Sequence, residues 1–361
     1  SEECKRFPNE YMSLDWTGAG RNKEGLVKYF PVGIVAGISP FNFPMNLAVH
    51  KIAPAIAAGC PIILKPASST PLSTLALAHI LVKTKLPMGS VSILPMKRKT
   101  GNQLATDDRI QMLSFTGSPL VGWELKKQSG KKKVVLELGG NAGVIVTDSV
   151  NIAGIINKCI TGAFSYSGQI CIHAQRFCVH EKIFDTFVQS MSVAAGALVY
   201  GDPRNEETRV SNMIDEDNAI RVETWVNEAI QGGAHLVCGG KRKGSYYEPT
   251  ILTNTTPDMK VYAEEIFGPV ICIDKYNGDI SDAVKQINNS RYGLQCGIFT
   301  NLVSELDYAF NHLEVGGVIH NDVPTLRFDQ MPYGGIKDSG MGREGVKYAM
   351  HDMLEARILV K

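Results

Sequence analysis

A two-domain α/β fold built on a doubly wound parallel sheet is what this sequence predicts, on three observations. The chain has 361 residues, more than one core of typical size holds, so two or more domains are expected. From Lys28 onward short apolar runs alternate with helix-length segments, the rhythm of a nucleotide-binding sheet with helices on both faces. The 35 glycines suit the strand-to-helix turns that such a sheet needs.

The elements follow in order. Residues 1–30 are polar and loop-rich, with Gly18, Gly20 and Gly25. Tyr29 to Ile38 is an apolar run that reads as one buried strand ending at Ser39-Pro40. Asn42-Phe43-Pro44 opens a helix through Leu47, Ile52, Ala55 and Ile56 to Gly59, with proline in the first turn as preferred. Pro61 to Pro66 is a second strand, and Ser68-Ser69-Thr70-Pro71 starts a helix to about Lys83. Val91–Leu94, a segment of Asp108–Phe115 and Val134–Leu138 are further strands. Thr116-Gly117-Ser118-Pro119 turns into a helix ending near Gln128. After Gly139-Gly140 the rhythm restarts with a strand at Val144–Thr147, a helix to about Phe164 and a strand at Arg176–His180. Helices are expected near 182–197, 215–232 and 301–313. Pro332 to Arg343 reads as a long Gly-rich loop, followed by a helix and an apolar end strand, Ala356 to Val360. A terminal strand needs a sheet to join, and a partner subunit is the expected source.

Composition narrows the function. The formal net charge of +1 argues against nucleic acid or an anionic membrane as an obligate partner. No apolar run reaches the roughly 18–20 residues that span a bilayer, and residues 1–30 lack a secretory core. The eight cysteines are dispersed with no C-x-x-C pair, which reads as reduced thiols and not a disulfide or zinc framework. A cytoplasmic enzyme is the expectation.

Cys171 is the candidate nucleophile. It lies three residues after Gly168, just past a run of small residues, Thr161 to Ser167, with a basic residue, Arg176, five positions on. A cysteine attacks as thiolate and needs a group that lowers its pKa or takes its proton. A buried structural thiol is the competing reading, and it suits the other seven. Glu137 interrupts the apolar strand Val134–Leu138. Its burial would raise its pKa toward that of a general base, whereas an edge glutamate would face solvent. Asn42 could donate to an oxyanion, although taken singly it reads better as a helix cap. Lys65, at a strand end, could bond ribose hydroxyls or simply snorkel. Phe115-Thr116-Gly117-Ser118 could cradle a pyrophosphate on free backbone N–H groups, but a plain turn explains it as well.

Set in order, Ser39-Pro40-Phe41-Asn42-Phe43-Pro44, Lys65-Pro66-Ala67, Phe115-Thr116-Gly117-Ser118, Glu137-Leu138-Gly139-Gly140, Gly168-Gln169-x-Cys171, Glu265-Ile266-Phe267-Gly268-Pro269 and Pro332-Tyr333-Gly334-Gly335-x-Lys337-x-Ser339-Gly340 resemble the aldehyde dehydrogenase superfamily. The run from His320-Asn321-Asp322-Val323-Pro324-Thr325 through Gly345-Val346-Lys347-Tyr348 is most similar to the branch with lactaldehyde and non-phosphorylating glyceraldehyde-3-phosphate dehydrogenases. The resemblance implies a Rossmann-like cofactor domain plus an α/β catalytic domain and a small β oligomerisation arm. On that pattern residues 1–31 are an N-terminal remnant and part of the arm, and 32–139 an incomplete NAD(P)-binding domain. Residues 140–336 form the catalytic domain, and 337–361 the C-terminal arm. The family's substantial segment before the Phe30–Val35 strand is expected to be missing here.

The resemblance also implies roles. Cys171 attacks an aldehyde, Asn42 and the Cys171 backbone N–H hold the oxyanion, and Glu137 activates water on the thioester. Ser39, Pro40, Phe41, Lys65, Ala67, Ser68, Phe115, Thr116, Gly117, Ser118, Val121, Leu138, Gly139, Glu265 and Phe267 take the cofactor, NADP or NAD; no metal is expected. Lys51 is a lesser candidate for proton relay, and Arg327 for an anionic substrate group. NAD-preferring members often carry Glu where this chain has Ser68, and Lys97, Arg98 and Lys99 could meet a 2′-phosphate, so NADP is expected to be accepted. The expected partners are a small aldehyde and further copies of the chain, as a dimer or tetramer. Competing readings are a coenzyme A-acylating dehydrogenase, a non-catalytic relative that kept the fold, and a cysteine hydrolase pairing Cys171 with His173.

Overall fold

The computed structural model describes residues 2–7 and 9–361. The chain divides into two compact units, one of Ser1–Glu137, Phe328–Gly334 and Met341–Lys361, the other of Leu138–Arg327 and Gly335–Gly340.

In the first unit five parallel strands run in the spatial order Lys133–Glu137, Ile110–Thr116, Ile34–Ile38, Ile62–Lys65, Val91–Ile93. Because they are parallel, Ile38, Lys65, Ile93, Thr116 and Glu137 all end at one edge, the edge where open α/β sheets bind ligands. Helix Pro44–Ala58 closes on Gly59, whose left-handed backbone (φ 77) lets its N–H cap the last turn. Its buried face, Ala48, Ile52 and Ala55, packs with Val35, Ile62, Leu64 and Met112 in one apolar cluster. Parallel strands covered on both faces have no polar alternation, which is why they read in sequence as short apolar runs.

Three expectations change in this unit. The run Tyr29 to Ile38 is two strands, Glu24–Pro31 and Ile34–Ile38, separated at Gly33 (φ 118). Residues 10–31 are not mainly loop: Glu10–Ser13 pairs antiparallel with Glu24–Pro31. The end strand Leu354–Val360 needs no other subunit, since it pairs antiparallel with Glu24–Pro31 of its own chain, Gly25 opposite Val360. Alternation hides such strands when both faces carry polar residues. Met353 and Leu354 join the same cluster as Val35, so the C-terminal segment helps to build this unit's core as well as its small sheet.

The second unit holds a seven-stranded sheet in the order His235–Cys238, Thr250–Thr253, Val270–Tyr276, Arg176–His180, Gly143–Val146, Gln295–Phe299, Gly317–His320. All but the antiparallel first are parallel to their neighbours. Helix Ile152–Phe164 starts on Asn151, whose side chain accepts the Ala153 N–H, and helix Glu216–Gln231 on Asp215, which accepts the Asn218 N–H. Val144, Phe164, Phe177, Phe187 and Phe299 form the largest apolar cluster. The Gly-rich run 332–343 is less irregular than its composition suggests, because Ile336–Lys337 pairs with Tyr292–Gly293.

Among the described residues no helix is long and apolar enough to cross a membrane, and no His/Cys/Asp/Glu group could hold a metal ion.

Candidate functional site

The ligand edge of the first unit gathers the predicted residues that fall in it. Ser39 follows Ile34–Ile38 and is 3% exposed, and its Oγ is buried with no hydrogen-bond partner among the described residues. Lys65 ends Ile62–Lys65; burial pulls its pKa below the usual lysine value, and Nζ donates to the neighbouring Pro66 carbonyl at 3.2 Å. Its stem crosses Gly101, where a Cβ would come within 2.9 Å of Lys65 Cδ. Pro40, Phe41 and Ala67 are half-buried beside them, whereas Ser68 is exposed. Lys97, Arg98 and Lys99 are exposed; Lys97 is the N-cap at the end of the loop, and the other two open a short helix, Arg98–Gly101.

The turn after Ile110–Thr116 differs from expectation in one respect. The Gly117 N–H already donates to the Glu137 carbonyl at 3.0 Å, so it is not one of the free donors of a phosphate cradle. Phe115 and Thr116 are buried in the sheet. Ser118 is the exposed N-cap of helix Pro119–Gln128, and Val121 is half-buried in its first turn. A helix start without capping side chain and with early N–H groups unspent still suits an anion. The orphaned Ser39 hydroxyl, the desolvated Lys65 ammonium and this helix start fit the ribose and phosphates of a dinucleotide.

Asn42 and Glu137 stand at the same edge. Asn42 is 4% exposed and is not the helix cap that the sequence favours; Phe43 holds that position, without a side-chain cap bond. Glu137 ends its strand at 3% exposure, and its Oε1 lies 2.8 Å from where a Cβ would stand on Gly334. Beside them Lys51, 1% exposed, donates to Thr116 Oγ1 at 2.7 Å, Ser114 Oγ at 3.2 Å and Glu344 Oε1 at 3.1 Å. His50 Nδ1 lies 3.3 Å from the other Glu344 oxygen. Sequence reasoning passed over Glu344. An acidic residue after Gly342-Arg343 carries no periodic signal, and only the fold brings it to Lys51.

The second unit builds the cysteine loop. Tyr166, Ser167 and Gly168 take left-handed backbone in succession (φ 56, 54 and 68). Two non-glycine residues there cost roughly 1–2 kcal/mol each, so the loop must be held by its surroundings. Ser167 Oγ donates to Ser211 O at 2.7 Å and accepts the Ser211 N–H. Gln169 Oε1 accepts the Ile214 N–H at 2.9 Å. Gln175 donates to Val261 O and Glu264 O and accepts the Ile266 N–H, which fastens the Glu265–Phe267 loop to the cysteine loop. Cys171 is half-buried and in no disulfide, and its carbonyl would come within 2.6 Å of a Cβ at position 140.

Two neighbours that the sequence suggested for the thiol serve the fold. Arg176 is 3% exposed, donates to the carbonyls of Asn141, Gln286 and Ile287, and stacks on Tyr262. Its charge is committed to that interior clamp. His173 is 2% exposed with Nε2 2.7 Å from the Ala163 carbonyl; burial pulls its pKa down to about 4. A ring so placed does not take a proton from Cys171, which removes the chemical basis of the cysteine-hydrolase reading.

Glu265 folds back on the glycine pair. Its Oε1 accepts the Gly140 N–H at 2.9 Å, and a Cβ on Gly139 would collide with its carboxylate. Burial pushes its pKa up to about 7, against the pull of the Gly140 N–H and of Arg221. The Leu138 N–H is spent on Ser339 O, and Phe267 adopts φ 44 at the loop's tip. Arg327 is half-buried.

A parallel-sheet unit with a dinucleotide-compatible edge, and a second unit presenting a braced half-buried cysteine, define a class: pyridine-nucleotide oxidoreductases that work through a thiol. Comparison with known proteins gives the family. Residues 2–359 match the aldehyde dehydrogenase family model. The chain is 42% identical over 361 residues to 3-sulfolactaldehyde dehydrogenase of Priestia aryabhattai, covering 100% of this chain and 76% of that protein. It superposes on aldehyde dehydrogenase 21 from Physcomitrella patens, a complex with the reaction product succinate, with TM-score 0.98 and 49% identity, over 100% of this chain and 75% of that one. Against the NADP complex of glyceraldehyde-3-phosphate dehydrogenase GapN from Methanocaldococcus jannaschii the TM-score is 0.95 at 38% identity, over 100% and 78%. The chain belongs to the aldehyde dehydrogenase family. It is an NAD(P)-dependent oxidoreductase that converts an aldehyde to a carboxylic acid.

Proposed function

We propose that this chain oxidises a small aldehyde carrying an acid group, through a thiohemiacetal and then a thioester on Cys171. The observation that carries the reading is the bracing of the Cys171 loop: side chains of Ser167, Gln169 and Gln175 bond to the backbone of two other segments, 211–214 and 261–266. A nucleophile held in a strained, fixed loop is what a reaction that needs near-attack geometry calls for. The Cys171 thiolate adds to the aldehyde carbon, and the Asn42 amide and the Cys171 backbone N–H hold the oxyanion. Each such donor is worth about 3–4 kcal/mol in other enzymes. NAD(P), when bound, supplies the hydride acceptor that makes the thiohemiacetal a thioester. Glu137, buried at its strand end, then draws a proton from the water that releases the acid. That base favours hydrolysis over transfer to coenzyme A.

Ser39, Lys65 and Ser118 are the residues proposed to hold the ribose and phosphates of the cofactor, and Glu265 and Phe267 its nicotinamide half. The acid group is inferred from the relatives, whose names carry a sulfonate, a succinate or a phosphate; Arg327 is the side chain proposed to meet it. We take the two units as the cofactor and catalytic domains, and the sheet of Glu10–Ser13, Glu24–Pro31 and Leu354–Val360 as the arm through which copies of the chain assemble in the cytoplasm.

The test measures NAD(P)H formation over a panel of aldehydes with and without a carboxylate, sulfonate or phosphate. Cys171→Ala must abolish it; turnover by that variant at the wild-type rate sinks the assignment.

A further inference from the structure

The cysteine loop is closed by a side chain that the reaction scheme leaves idle. Helix Ile152–Phe164 ends without glycine, so its last carbonyls need partners from elsewhere. The Ser165 N–H takes Thr161 O, and the Ala174 N–H takes Gly162 O at 3.1 Å. Ala163 O is taken by the His173 ring, Nε2 to O 2.7 Å. His173 thus bonds ten residues back along the chain, across the base of the loop that carries Cys171, while its own N–H donates to Ile170 O at 3.0 Å.

We propose that His173 is a positioning residue for Cys171, a neutral strut whose Nε2–H pins the nucleophile's loop to the end of the preceding helix. A carbonyl oxygen can only accept, so the ring nitrogen must donate and the bond requires the Nε2–H tautomer. Nδ1 is then a bare lone pair; it is buried with no partner among the described residues. Protonation would create a second buried N–H with nothing to receive it, in keeping with a pKa near 4. The strut therefore keeps one protonation state across the pH range in which a cysteine thiol titrates. The ring's hydrogen-bond partner is a neutral carbonyl, and Ala163, Phe164 and Ala174, its partner and chain neighbours, belong to an uncharged buried cluster.

The inference rests on Cys171 being the nucleophile, and the experiment separates the two. Gln places an amide N–H where Nε2 lies, whereas Asn is too short to reach Ala163. His173→Gln should hold kcat and the rate of Cys171 alkylation by iodoacetamide within about threefold of wild type. His173→Asn and His173→Leu should lower both by roughly 10–100-fold, the order expected when a reacting group shifts by about 1 Å. KM for NADP should not move, and both rates are taken per folded chain by circular dichroism, since unfolded enzyme lowers the apparent kcat without changing KM. The alkylation pH profile of every folded variant should show a single thiol inflection and none from imidazole. Equal rates in the Gln and Asn variants, or a wild-type rate in the Leu variant, overturn the strut. A second inflection lost on substitution replaces it with a thiolate–imidazolium pair. Cys171→Ala that retains turnover overturns the nucleophile and the strut together.

Discussion

The backbone carbonyl of Gly268 occupies the space in which a side chain at position 168 would begin, and Gly168 itself sits at φ 68. Two loops distant in sequence, one bearing Cys171 and the other Glu265, therefore meet backbone to backbone at a position that tolerates no Cβ. Gly168→Ala adds left-handed strain to a collision that flexible side chains cannot relieve. The expected loss is roughly 2–4 kcal/mol of stability, with kcat falling by more than tenfold. Urea unfolding followed by the intrinsic fluorescence, beside kcat of the folded fraction, checks both.

Glu137→Gln removes the proposed base and leaves Cys171 in place. Thioester formation should proceed and its hydrolysis should slow by about 10²–10⁴-fold. Intact-protein mass spectrometry after mixing with aldehyde and NADP should find one acyl group per chain, lost on hydroxylamine treatment. Rapid turnover without an adduct would assign the base elsewhere.

The ion pair of Lys51 with Glu344 is enclosed, at 1% and 4% side-chain exposure. Lys51→Met leaves the Glu344 charge with less compensation and should destabilise by about 3–5 kcal/mol. The double variant Lys51→Met/Glu344→Leu should regain a good part of that, since it removes both charges. Thermal unfolding of the three proteins reads the difference, and a double variant no better than the single one would refute the pairing argument.

Glu265 makes stability depend on pH. Its folded pKa, about 7, lies above the ordinary glutamate value of 4.5, so between those values the folded chain binds more protons than the unfolded one. Stability then falls as pH rises through this window, and is fully retained only below it. Because part of the residue still meets solvent, the swing is on the order of 1–2 kcal/mol and not the full conversion of the shift. Chemical unfolding at pH 5 and pH 8 should show it, and Glu265→Gln should flatten it.

Ser68 is exposed close after Lys65, and Lys97, Arg98 and Lys99 are exposed beyond the next strand. Ser68→Glu should raise KM for NADP by about 10–100-fold, the worth of a charge-assisted hydrogen bond turned to repulsion, and leave KM for NAD nearly unchanged. An equal rise for both nucleotides would place the 2′-phosphate away from this corner.

The sequence by itself determined the family, the alternation of strand and helix from Lys28 to Leu138, and the order of Asn42, Lys65, Glu137 and Cys171. These were legible because parallel strands buried on both faces are continuous apolar runs, and because a polar residue that closes such a run, as Lys65 and Glu137 do, stands out against it. Strands such as Val270–Tyr276 and Gln295–Phe299 carried the same apolar signal and could have been read the same way. Other features had no local signal. Nothing in Tyr166-Ser167 favours left-handed backbone; Ser211, Ile214 and Gly268 impose it from elsewhere in the chain. The fold gives the Gly117 N–H to the Glu137 carbonyl and not to a phosphate, and the helix cap to Phe43 and not to Asn42. Lys51 found Glu344 across 293 residues, His173 became a strut, and the terminal strand found its partner in Glu24–Pro31. Periodicity reports which face of an element is buried. Hydrogen bonds between distant segments are decided only when packing desolvates both partners and leaves each no other group to bond.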